Sequence, residues 1–344
     1  TANVVDVNEI NLDGDVYDIT GIEDFEGLEY FTINVGNSIN TESINLSKLS
    51  KLKDLKLDVN ADEFTSLKNI LFPESLVLEK IYIHAGSDNT NEILSEIDLS
   101  KISGLKEFYL AGFSNIKNYD FSNNSNLEKL ELRTLSSIEN LNISNNSLLK
   151  YLDLNGLKPG DGANDYTSIS LSDNTQLDKL YISWFGIENI DISMLGDLTE
   201  FKLAANPNLR CIKVNQSQLD NISSKGSNWV KPSSAYYTTD CNVTYVPDDG
   251  FELLLIYYGY DDSLDNFVKT ANIENITELP STYPGMTNYI EDATGLEAFK
   301  SLTFLKWQYF KGSSIDLSSL TNLEKITVNS WSSKIQGDNP TLET

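Results

Sequence analysis

The stretch LEKLEL at residues 127–132 is one of eight copies of an apolar phrase that runs along the chain. Each copy has leucine or another apolar residue at its first, fourth and sixth positions. The copies are LEYFTI (28–33), LKDLKL (52–57), LEKIYI (78–83), LKEFYL (105–110), LEKLEL (127–132), LKYLDL (149–154), LDKLYI (177–182) and LTEFKL (198–203). Successive copies start 24, 26, 27, 22, 22, 28 and 21 residues apart. A period in the twenties with this apolar spacing predicts a leucine-rich repeat solenoid, whose stacked phrases form a parallel sheet on the concave side.

A second phrase, of the form apolar-x-apolar-Ser, lies between copies of the first. It occurs as INLSKLSK (44–51), IDLSKISG (97–104), YDFSNNSN (119–126), LNISNNSL (141–148), ISLSDNTQ (169–176) and IDISMLGD (190–197). Its alternation predicts a short extended segment on the convex side of each coil, with both apolar residues in the core. The Asn and Ser residues that follow are expected to form the turn by bonding nearby backbone groups. A parallel β-helix or an antiparallel sandwich would also show alternation, but eight phrases in register favour the solenoid.

The chain also contains a much longer repeat. The segments TGIEDFEGLEYFTI (20–33), TANV (1–4) and INLSKLSKLKDLKL (44–57) return as TGLEAFKSLTFLKW (294–307), TANI (270–273) and IDLSSLTNLEKITV (315–328). The offsets of 274, 269 and 271 residues indicate that one large unit has been duplicated. We therefore predict a first solenoid at 1–241 with a C-terminal cap, a junction at 242–247, and the start of a second unit at 248–344.

The second unit is expected to open with a cap helix over 249–258, for which no counterpart precedes Thr1. Only two copies of the first phrase follow that helix, at Leu302 and Leu323. Two repeats rarely suffice for a stable stack. We therefore expect further repeats to follow in the parent protein.

The charge of the chain restricts its partners. Its 344 residues include 25 Lys and Arg against 51 Asp and Glu, a formal net charge of −26. Such a field repels phosphate backbones and anionic membrane surfaces, which disfavours a nucleic-acid partner. The longest apolar run, FELLLIYYGY (251–260), is too short to cross a bilayer, so we predict no membrane span. Any secretion signal is expected to have been removed or to lie outside this sequence.

Cys211 and Cys241 are the two cysteines of the chain. Two are too few for a disulfide scaffold, and they lack the further ligands that a structural zinc requires. We predict one disulfide that closes an irregular cap over 206–241, which would imply an oxidising, extracytoplasmic setting. The alternative is a pair of unrelated buried thiols.

The concave surface supplies the candidate binding residues, because side chains alternate along a strand. At the fifth position of each phrase stand Thr32, Lys56, Tyr82, Tyr109, Glu131, Asp153, Tyr181 and Lys202. Two residues further on stand Asn34, Asp58, His84, Ala111, Arg133, Asn155, Ser183 and Ala204, with Trp184 just beyond. Aromatic residues dominate binding hot spots. The predicted ligand-binding residues are Tyr82, His84, Tyr109, Arg133, Asp153, Tyr181 and Trp184. The alternative is that tyrosines merely suit a strand surface.

The sequence offers no catalytic constellation. His84 is the only histidine, and nothing in the spacing singles out a carboxylate pair. The segment 58–62 mimics the start of a calcium loop but lacks the later Gly and Glu. Asp261, Asp262 and Asp265 are interpreted as helix-end and turn residues. We therefore predict no enzyme activity, no metal site and no cofactor.

The whole chain resembles the leucine-rich repeat surface proteins of Bacteroidetes, in particular those of flavobacteria. The specific motifs are VPDDGFELLLIYYGYDDSLDNFVKTANI (246–273) as leading cap, TGIEDFEGL and TGLEAFKSL as first coils, and NPNLRCIKV (206–214), NW (228–229) and TDC (239–241) as trailing cap. The resemblance implies a large modular protein at the cell surface or outside the cell, commonly exported by the type IX route through a C-terminal sorting domain. It supplies no catalytic residues. The asparagine that usually ends the LxxLxLxxN motif stands clearly only at Asn60 and Asn206.

Two functions fit these observations. The first is a binding module of a surface adhesin, whose concave face holds a protein or a carbohydrate. The second is a structural spacer of a large modular protein, with the ligand site in another module. Where the second unit is visible, Tyr30 and Thr32 become Phe304 and Lys306, so the surface is not preserved. A component of a glycan-processing enzyme ranks third.

Overall fold

The computed structural model describes residues 6–14, 16, 18–35, 41–59, 67–85, 94–156, 163–280, 289–330 and 334–336. The chain divides into two compact units, Thr1–Thr239 and Asp240–Thr344. Both contain parallel strands stacked coil upon coil, which is the architecture of a leucine-rich repeat solenoid. The described residues include no helix that is long and apolar enough to span a membrane.

Short strands are the main regular elements of the first unit. In chain order they are β1 (Glu9–Asp13), β2 (Tyr30–Val35), β3 (Ser43–Asn45), β4 (Asp54–Val59), β5 (Asn69–Leu71), β6 (Lys80–Ala85), β7 (Glu107–Ala111), β8 (Asn118–Asp120), β9 (Lys129–Arg133), β10 (Asn140–Asn142), β11 (Tyr151–Asn155), β12 (Lys179–Ser183), β13 (Asn189–Asp191), β14 (Glu200–Lys202), β15 (Cys211–Lys213), β16 (Trp229–Val230) and β17 (Tyr236–Thr238). Two short helices, α1 (Gln216–Asp220) and α2 (Ile222–Lys225), follow β15. One-turn 3₁₀ helices occupy Ile22–Asp24 and Gly226–Asn228.

The concave side of the first unit is one parallel sheet. Its strand order is β1-β2-β4-β6-β7-β9-β11-β12-β14-β16. The eight apolar phrases supply the eight strands of this sheet that lie between β1 and β16. Their inward residues, such as Leu55, Leu130 and Leu180, are fully buried. Each phrase is too short to bury its own apolar face, so stacking supplies the core. The predicted fold class is confirmed.

The convex side carries the second phrase. Four of its six copies form strands, namely β3, β8, β10 and β13. The copies that begin at Ile97 and Ile169 are not in strands, yet Leu99 and Leu171 are still buried. Core packing therefore keeps the apolar residues inward even where the backbone pairing is lost.

Aspartate side chains inside the second phrase help to form the convex turns. Asp98, Asp120 and Asp191, each between the two apolar residues of its phrase, accept the backbone N–H of the serine two residues later, at 2.9 Å in each case. These acceptors lie inside the phrase, and they act in addition to the asparagines after it, which bond backbone groups as expected. Such turns satisfy a backbone N–H that the tight corner would otherwise leave unpaired.

Buried asparagines after the phrase form a ladder through three consecutive coils. Asn124, Asn146 and Asn174 are fully or almost fully buried. The amide nitrogen of Asn146 donates to the carbonyls of Phe121 (3.0 Å) and Asn124 (2.8 Å) on the preceding coil. Asn124 and Asn174 repeat the pattern. This ladder ties each turn to the one below it.

The last coil of the first unit is closed by the segment around Trp229. The indole Nε1 of Trp229 donates to the carbonyl of Leu198 (3.0 Å), and its ring packs edge-on against Phe201 at 5.1 Å between centroids. Cys211 and Cys241 are joined in a disulfide, which confirms that prediction. Helices α1 and α2 were not anticipated from the sequence. Asn215 caps α1 and pairs with Gln218 in a capping box.

The second unit begins with a helical cap. Its helices are α3 (Asp249–Tyr257) and α4 (Thr270–Ile273), with a 3₁₀ turn at Leu296–Ala298. Its strands are β18 (Val243–Tyr245), β19 (Phe267–Lys269), β20 (Glu278–Leu279), β21 (Phe304–Phe310), β22 (Ser314–Asp316), β23 (Lys325–Ser330) and β24 (Lys334–Gln336). Strands β20, β21 and β23 form a parallel sheet, β22 pairs with β24, and β18 pairs antiparallel with β19. Phe251, Leu254 and Leu255 of α3 are fully buried in this unit's core.

Candidate ligand-binding surface

The strand register places the fifth residues of the phrases in one column. Thr32 pairs with Lys56, Lys56 with Tyr82, and Tyr82 with Tyr109. The column then continues through Glu131, Asp153, Tyr181 and Lys202. Because parallel strands lie about 4.8 Å apart, side chains in such a column stack directly on one another.

An aromatic cluster occupies the coils of β4, β6 and β7. The rings of Tyr82 and Tyr109 stack with centroids 4.3 Å apart and planes 8° apart. His84 approaches both rings edge-on at 6.4 Å, and its Nδ1 lies 3.0 Å from Asp58 Oδ1. Lys56 Nζ lies 5.4 Å from the Tyr82 centroid and pairs with Asp58 (3.2 Å). Burial raises the pKa of Tyr82 to about 12, so its hydroxyl stays protonated at neutral pH.

An ionic cluster follows on β9 and β11. The Arg133 guanidinium bonds Asp153 and also reaches Glu131 (3.4 Å), while Lys129 pairs with Glu131 at 2.7 Å. Asp153 is largely buried, and burial raises its pKa although Arg133 opposes the shift. Arg133 therefore bridges the two carboxylates, Glu131 and Asp153, of adjacent strands.

A second tyrosine pair lies on β11 and β12. Tyr151 and Tyr181 have ring centroids 5.5 Å apart, and Lys202 Nζ lies 5.2 Å from the Tyr181 centroid. The Tyr181 hydroxyl donates to Glu200 Oε2 (2.7 Å). Hydrogen bonds from Lys179, Tyr181 and Lys202 lower the pKa of Glu200 to about 2. This carboxylate is therefore ionised over the whole physiological range.

The predicted residues fall into three groups. Tyr82, His84 and Tyr109 are in mutual contact, and Arg133 contacts Asp153. The ring that packs against Tyr181 is Tyr151. Trp184 has a left-handed backbone (φ 65°) one residue past the end of β12, where the coil turns away from the sheet. The predicted role of all seven residues in ligand binding stays a prediction.

Several residues of this surface were missed by sequence reasoning. They are Tyr151, Lys129 and Glu200 at the third position of the phrase. Lys56, Asp58 and Glu131 were placed on the concave surface by the sequence but were not among the predicted ligand-binding residues. A signal was present for the first three, because the third position also faces outward in every strand. The register confirms that Lys129 and Tyr151 are direct neighbours in that outer column.

This part of the concave face is electrically neutral in a strongly acidic chain. The outward residues of the seven phrases from Leu52 to Leu203, taken with the residue after each phrase, include nine cations and nine anions. The cations are Lys53, Lys56, Lys80, Lys106, Lys129, Arg133, Lys150, Lys179 and Lys202, and the anions are Asp54, Asp58, Glu79, Glu107, Glu128, Glu131, Asp153, Asp178 and Glu200. The net charge of −26 therefore resides on the rest of the chain.

Alternating charges account for this balance. Along the second phrase position, Lys53 pairs with Glu29 (2.6 Å), Lys106 with Glu79 (2.7 Å) and Lys150 with Glu128 (2.7 Å). Individual exposed pairs contribute little to stability. The regular alternation instead disfavours pairing between the wrong coils. If a strand skipped one coil, like charges would lie side by side.

No protein-family model matches the chain, and no curated protein is detectably similar to it. Among solved structures, the functional domain of InlJ from Listeria monocytogenes is similar at 16% identity and a TM-score of 0.42, covering 95% of this chain and 64% of that one. An internalin (inlF) from Listeria monocytogenes has 19% identity and a TM-score of 0.32, covering 99% and 86%. A leucine-rich repeat protein from Bacteroides ovatus has 16% identity and a TM-score of 0.28, covering 98% and 76%. The chain thus spans under two thirds of the InlJ domain. The assignment of the fold rests on the coils and strand register of this chain itself.

Proposed function

We propose that the first unit is a non-catalytic binding module of an extracellular or bacterial cell-surface protein, and that its concave face binds a protein ligand. The disulfide supports a location in an oxidising compartment, where such bonds persist. The resemblance to flavobacterial surface proteins supports the same location and, more specifically, export by the type IX route. Adhesion to a protein partner is the activity that we assign to this surface.

The proposal rests on the stacked pair of Tyr82 and Tyr109, which lies in the electrically neutral part of the concave face. A half-buried aromatic cluster beside an arginine has the composition of a binding hot spot. Its surroundings carry equal numbers of cationic and anionic side chains, so the contact surface itself favours neither charge sign. The ring hydroxyls remain neutral, so they can donate and accept hydrogen bonds at the rim of the contact.

The arrangement of the rings favours a protein over a carbohydrate. A sugar that stacks on tyrosine needs a free ring face. Here one face of Tyr82 is covered by Tyr109 and the other is approached by Lys56. Tyr181 also lies between an aromatic ring and a lysine, although the Tyr151 ring is tilted by 47° against it. The faces of Tyr82 are therefore occupied, which leaves its ring edge for the side chains and backbone of a protein partner.

The spacer function is the second candidate, and the second unit supplies the observation for it. The residues that correspond to Tyr30, Thr32, Asp54 and Lys56 are Phe304, Lys306, Lys325 and Thr327. A module whose only task is to add length need not preserve its concave surface. In that case the tyrosine clusters would stabilise the sheet and bind nothing.

The experiment is a paired screen of the whole chain on an array of purified extracellular proteins and on a glycan array. Wild type is compared with the variant Tyr82→Ala, Tyr109→Ala, Tyr181→Ala. The matched control is Tyr257→Ala, Tyr258→Ala, which removes exposed tyrosines outside the concave sheet. Circular dichroism checks that all three proteins are folded.

Saturable binding to a protein that weakens at least about 30-fold in the concave variant, and not in the control, is the expected result, since hot-spot truncations cost 2 kcal/mol or more. Binding confined to glycans would replace the protein ligand by a carbohydrate. Binding that all three proteins share equally, or no binding on either array, would leave the spacer function.

A further inference from the structure

An acidic loop lies between α3 and β19 of the second unit. We define it as residues 260–267, YDDSLDNF, which include Asp261, Asp262 and Asp265. Glu252 of α3 is fully buried against it. One carboxylate oxygen of Glu252, Oε1, accepts the backbone N–H groups of Asp265 (2.9 Å) and Phe267 (3.1 Å). The other, Oε2, is buried and has no hydrogen-bond partner.

Asp261 carries a second oxygen of this kind. Its Oδ1 accepts the backbone N–H of Asp262 (2.9 Å), whereas its Oδ2 is buried without a partner. In the described part of the chain, no Lys, Arg or His forms an ion pair with Glu252 or with any of the three aspartates of the loop. Buried carboxylate oxygens are normally hydrogen-bonded, paired with a cation or bound to a metal. Both oxygens are therefore available to a hydrogen-bond donor or a cation.

The electrostatics agree with this geometry. Burial raises the pKa of Glu252, and the charges of Asp261 and Asp265 raise it further. Burial likewise raises the pKa of Asp261, with added repulsion from Asp265 and Asp262. Mutual repulsion of this kind is relieved when a divalent cation binds between the carboxylates.

The spacing of the loop also matches the first half of a helix–loop–helix calcium site. In such a site, oxygen ligands stand at positions 1, 3 and 5, position 6 makes a sharp turn, and position 7 offers its carbonyl. Counting from Asp261, these positions hold Asp261, Ser263, Asp265, Asn266 and Phe267. Asn266 has a left-handed backbone (φ 68°), which is the conformation that glycine supplies in the standard loop.

The loop departs from the standard at position 12. A glutamate usually stands there, but this chain has Asn272, whose amide nitrogen donates to the carbonyl of Tyr260 (2.9 Å). Glu252 supplies a buried carboxylate from the preceding helix instead. Within the described residues, no three His, Cys, Asp or Glu side chains already converge as metal ligands. Asp265 is instead held by the Phe267 N–H (3.0 Å) and the Ser263 hydroxyl (3.1 Å).

We propose that the acidic loop binds one Ca²⁺ through Glu252 and Asp261, with backbone carbonyls and water as the remaining ligands. Ca²⁺ fits because it accepts six to eight oxygen ligands in a flexible geometry, whereas Mg²⁺ requires a near-ideal octahedron and Zn²⁺ favours nitrogen and sulfur. The bound ion would join α3 to the loop and so brace the cap of the second unit. Asp261 would then be a ligand, and Asp265 a supporting residue, in place of the turn roles that the sequence suggested.

The test uses the whole chain, stripped of metal by a chelator and titrated with Ca²⁺ by calorimetry. Tyrosine-sensitised Tb³⁺ emission gives a second readout, since Tyr260 is adjacent to Asp261 in sequence. The variants are Asp261→Asn and Glu252→Gln. The matched control is Asp262→Asn, an exposed aspartate of the same loop.

One equivalent of Ca²⁺ should bind, with a Kd on the order of 10⁻⁴ to 10⁻³ M, as in other extracellular calcium modules. Affinity should fall at least about tenfold in Asp261→Asn and in Glu252→Gln and stay unchanged in Asp262→Asn. An absence of saturable binding would overturn the proposal. Binding that Asp261→Asn leaves unchanged would also overturn it, since such binding would belong to the diffuse charge of an acidic chain. If Glu252→Gln does not fold, Asp261→Asn alone decides.

Discussion

The first coils of the two units share a sequence phrase but differ in how they are covered. Glu278 and Leu279 of β20 pair with Phe304 and Leu305, just as Glu9 and Ile10 of β1 pair with Tyr30 and Phe31. Leu279 is only 1% exposed. Ile10, at the equivalent position, is half-buried.

Leu279 belongs to the core cluster of the second unit, to which helix α3 also contributes. In the second unit, α3 brings Phe251 against Trp307 and Phe299, with ring centroids 5.1 and 6.0 Å away. Trp307 corresponds in sequence to Ile33 of the first unit. The first coil of the second unit therefore has the larger inward residue at this position. The same repeat position can therefore be core or surface. A repeat defines which side chains point inward, and the neighbouring layer determines whether they are buried.

Removal of the cap's central ring should have the largest effect. Phe251→Ala is expected to destabilise the second unit by about 3–5 kcal/mol, because a fully buried aromatic ring is lost and a cavity remains. Hydrogen exchange read by mass spectrometry separates peptides of the two units. Protection should fall in the second unit while the first keeps its values. Equal loss in both units would show that they unfold together and would break the comparison.

Reduction of the disulfide tests the covalent bond that Cys211, in the last coils of the first unit, forms with Cys241. The bond between Cys211 and Cys241 closes a loop of 30 residues (241 − 211) that carries Trp229. Reduction is expected to cost about 3 kcal/mol, mainly because the unfolded chain gains freedom. Denaturant unfolding with and without reductant measures the loss. Cys211→Ser, Cys241→Ser should reproduce it, and an unchanged midpoint would show that Trp229 packing alone holds the closure.

The middle coils of the first unit have a buried asparagine at a position where other coils have a buried leucine. Asn146 stands where Leu49 and Leu320 stand in their coils, and all three residues are fully buried. Asn146→Leu should cost about 1–2 kcal/mol, because the carbonyls of Phe121 and Asn124 each lose one donor. Chemical unfolding measures the change, with the exposed Asn123→Leu as control. A stabilised variant would show that the unpaired Asn146 oxygen outweighs both hydrogen bonds.

The smallest effect is expected at Ile10, in the first coil of the first unit. Ile10→Ala should cost only about 1 kcal/mol, since part of its side chain already contacts water. The matched substitution in the second unit, Leu279→Ala, should cost about 2–5 kcal/mol. Urea midpoints of the two variants give the contrast directly. Similar losses would mean that the first coil of the first unit is as well packed as its capped equivalent.

The regular part of the fold could be read from sequence because each phrase repeats the same physical instruction. Leu55, Leu130 and Leu180 are buried where the spacing placed them. The contact of Tyr82 with Tyr109 could also be anticipated, since stacked coils bring equal phrase positions together. Tyr151 was missed because only the fifth and seventh positions were compared. Asn60, the other asparagine of the repeat motif, lies outside the described residues, whereas Asn206 bonds the Phe185 N–H at 2.9 Å.

The irregular parts could not be predicted in this way. Helices α1 and α2 interrupt the period, so no second copy marks them. Glu252 reads as an ordinary residue in the first turn of a helix. Its burial and its unpaired oxygen arise only because the loop after α3 folds back over it. No local pattern records such a contact between residues 13 or more positions apart, as between Glu252 and Asp265.

The sequence by itself determined the coil, its two strand faces and the duplication, because alternation and period act through nearest neighbours along the chain. The tertiary structure alone decided which ring packs against Tyr181, which carboxylates Arg133 joins, and whether Ile10 or Leu279 is shielded from water. Those outcomes depend on distances between separate coils and caps. Burial and electrostatic coupling are properties of the assembled stack, and a single repeat does not possess them.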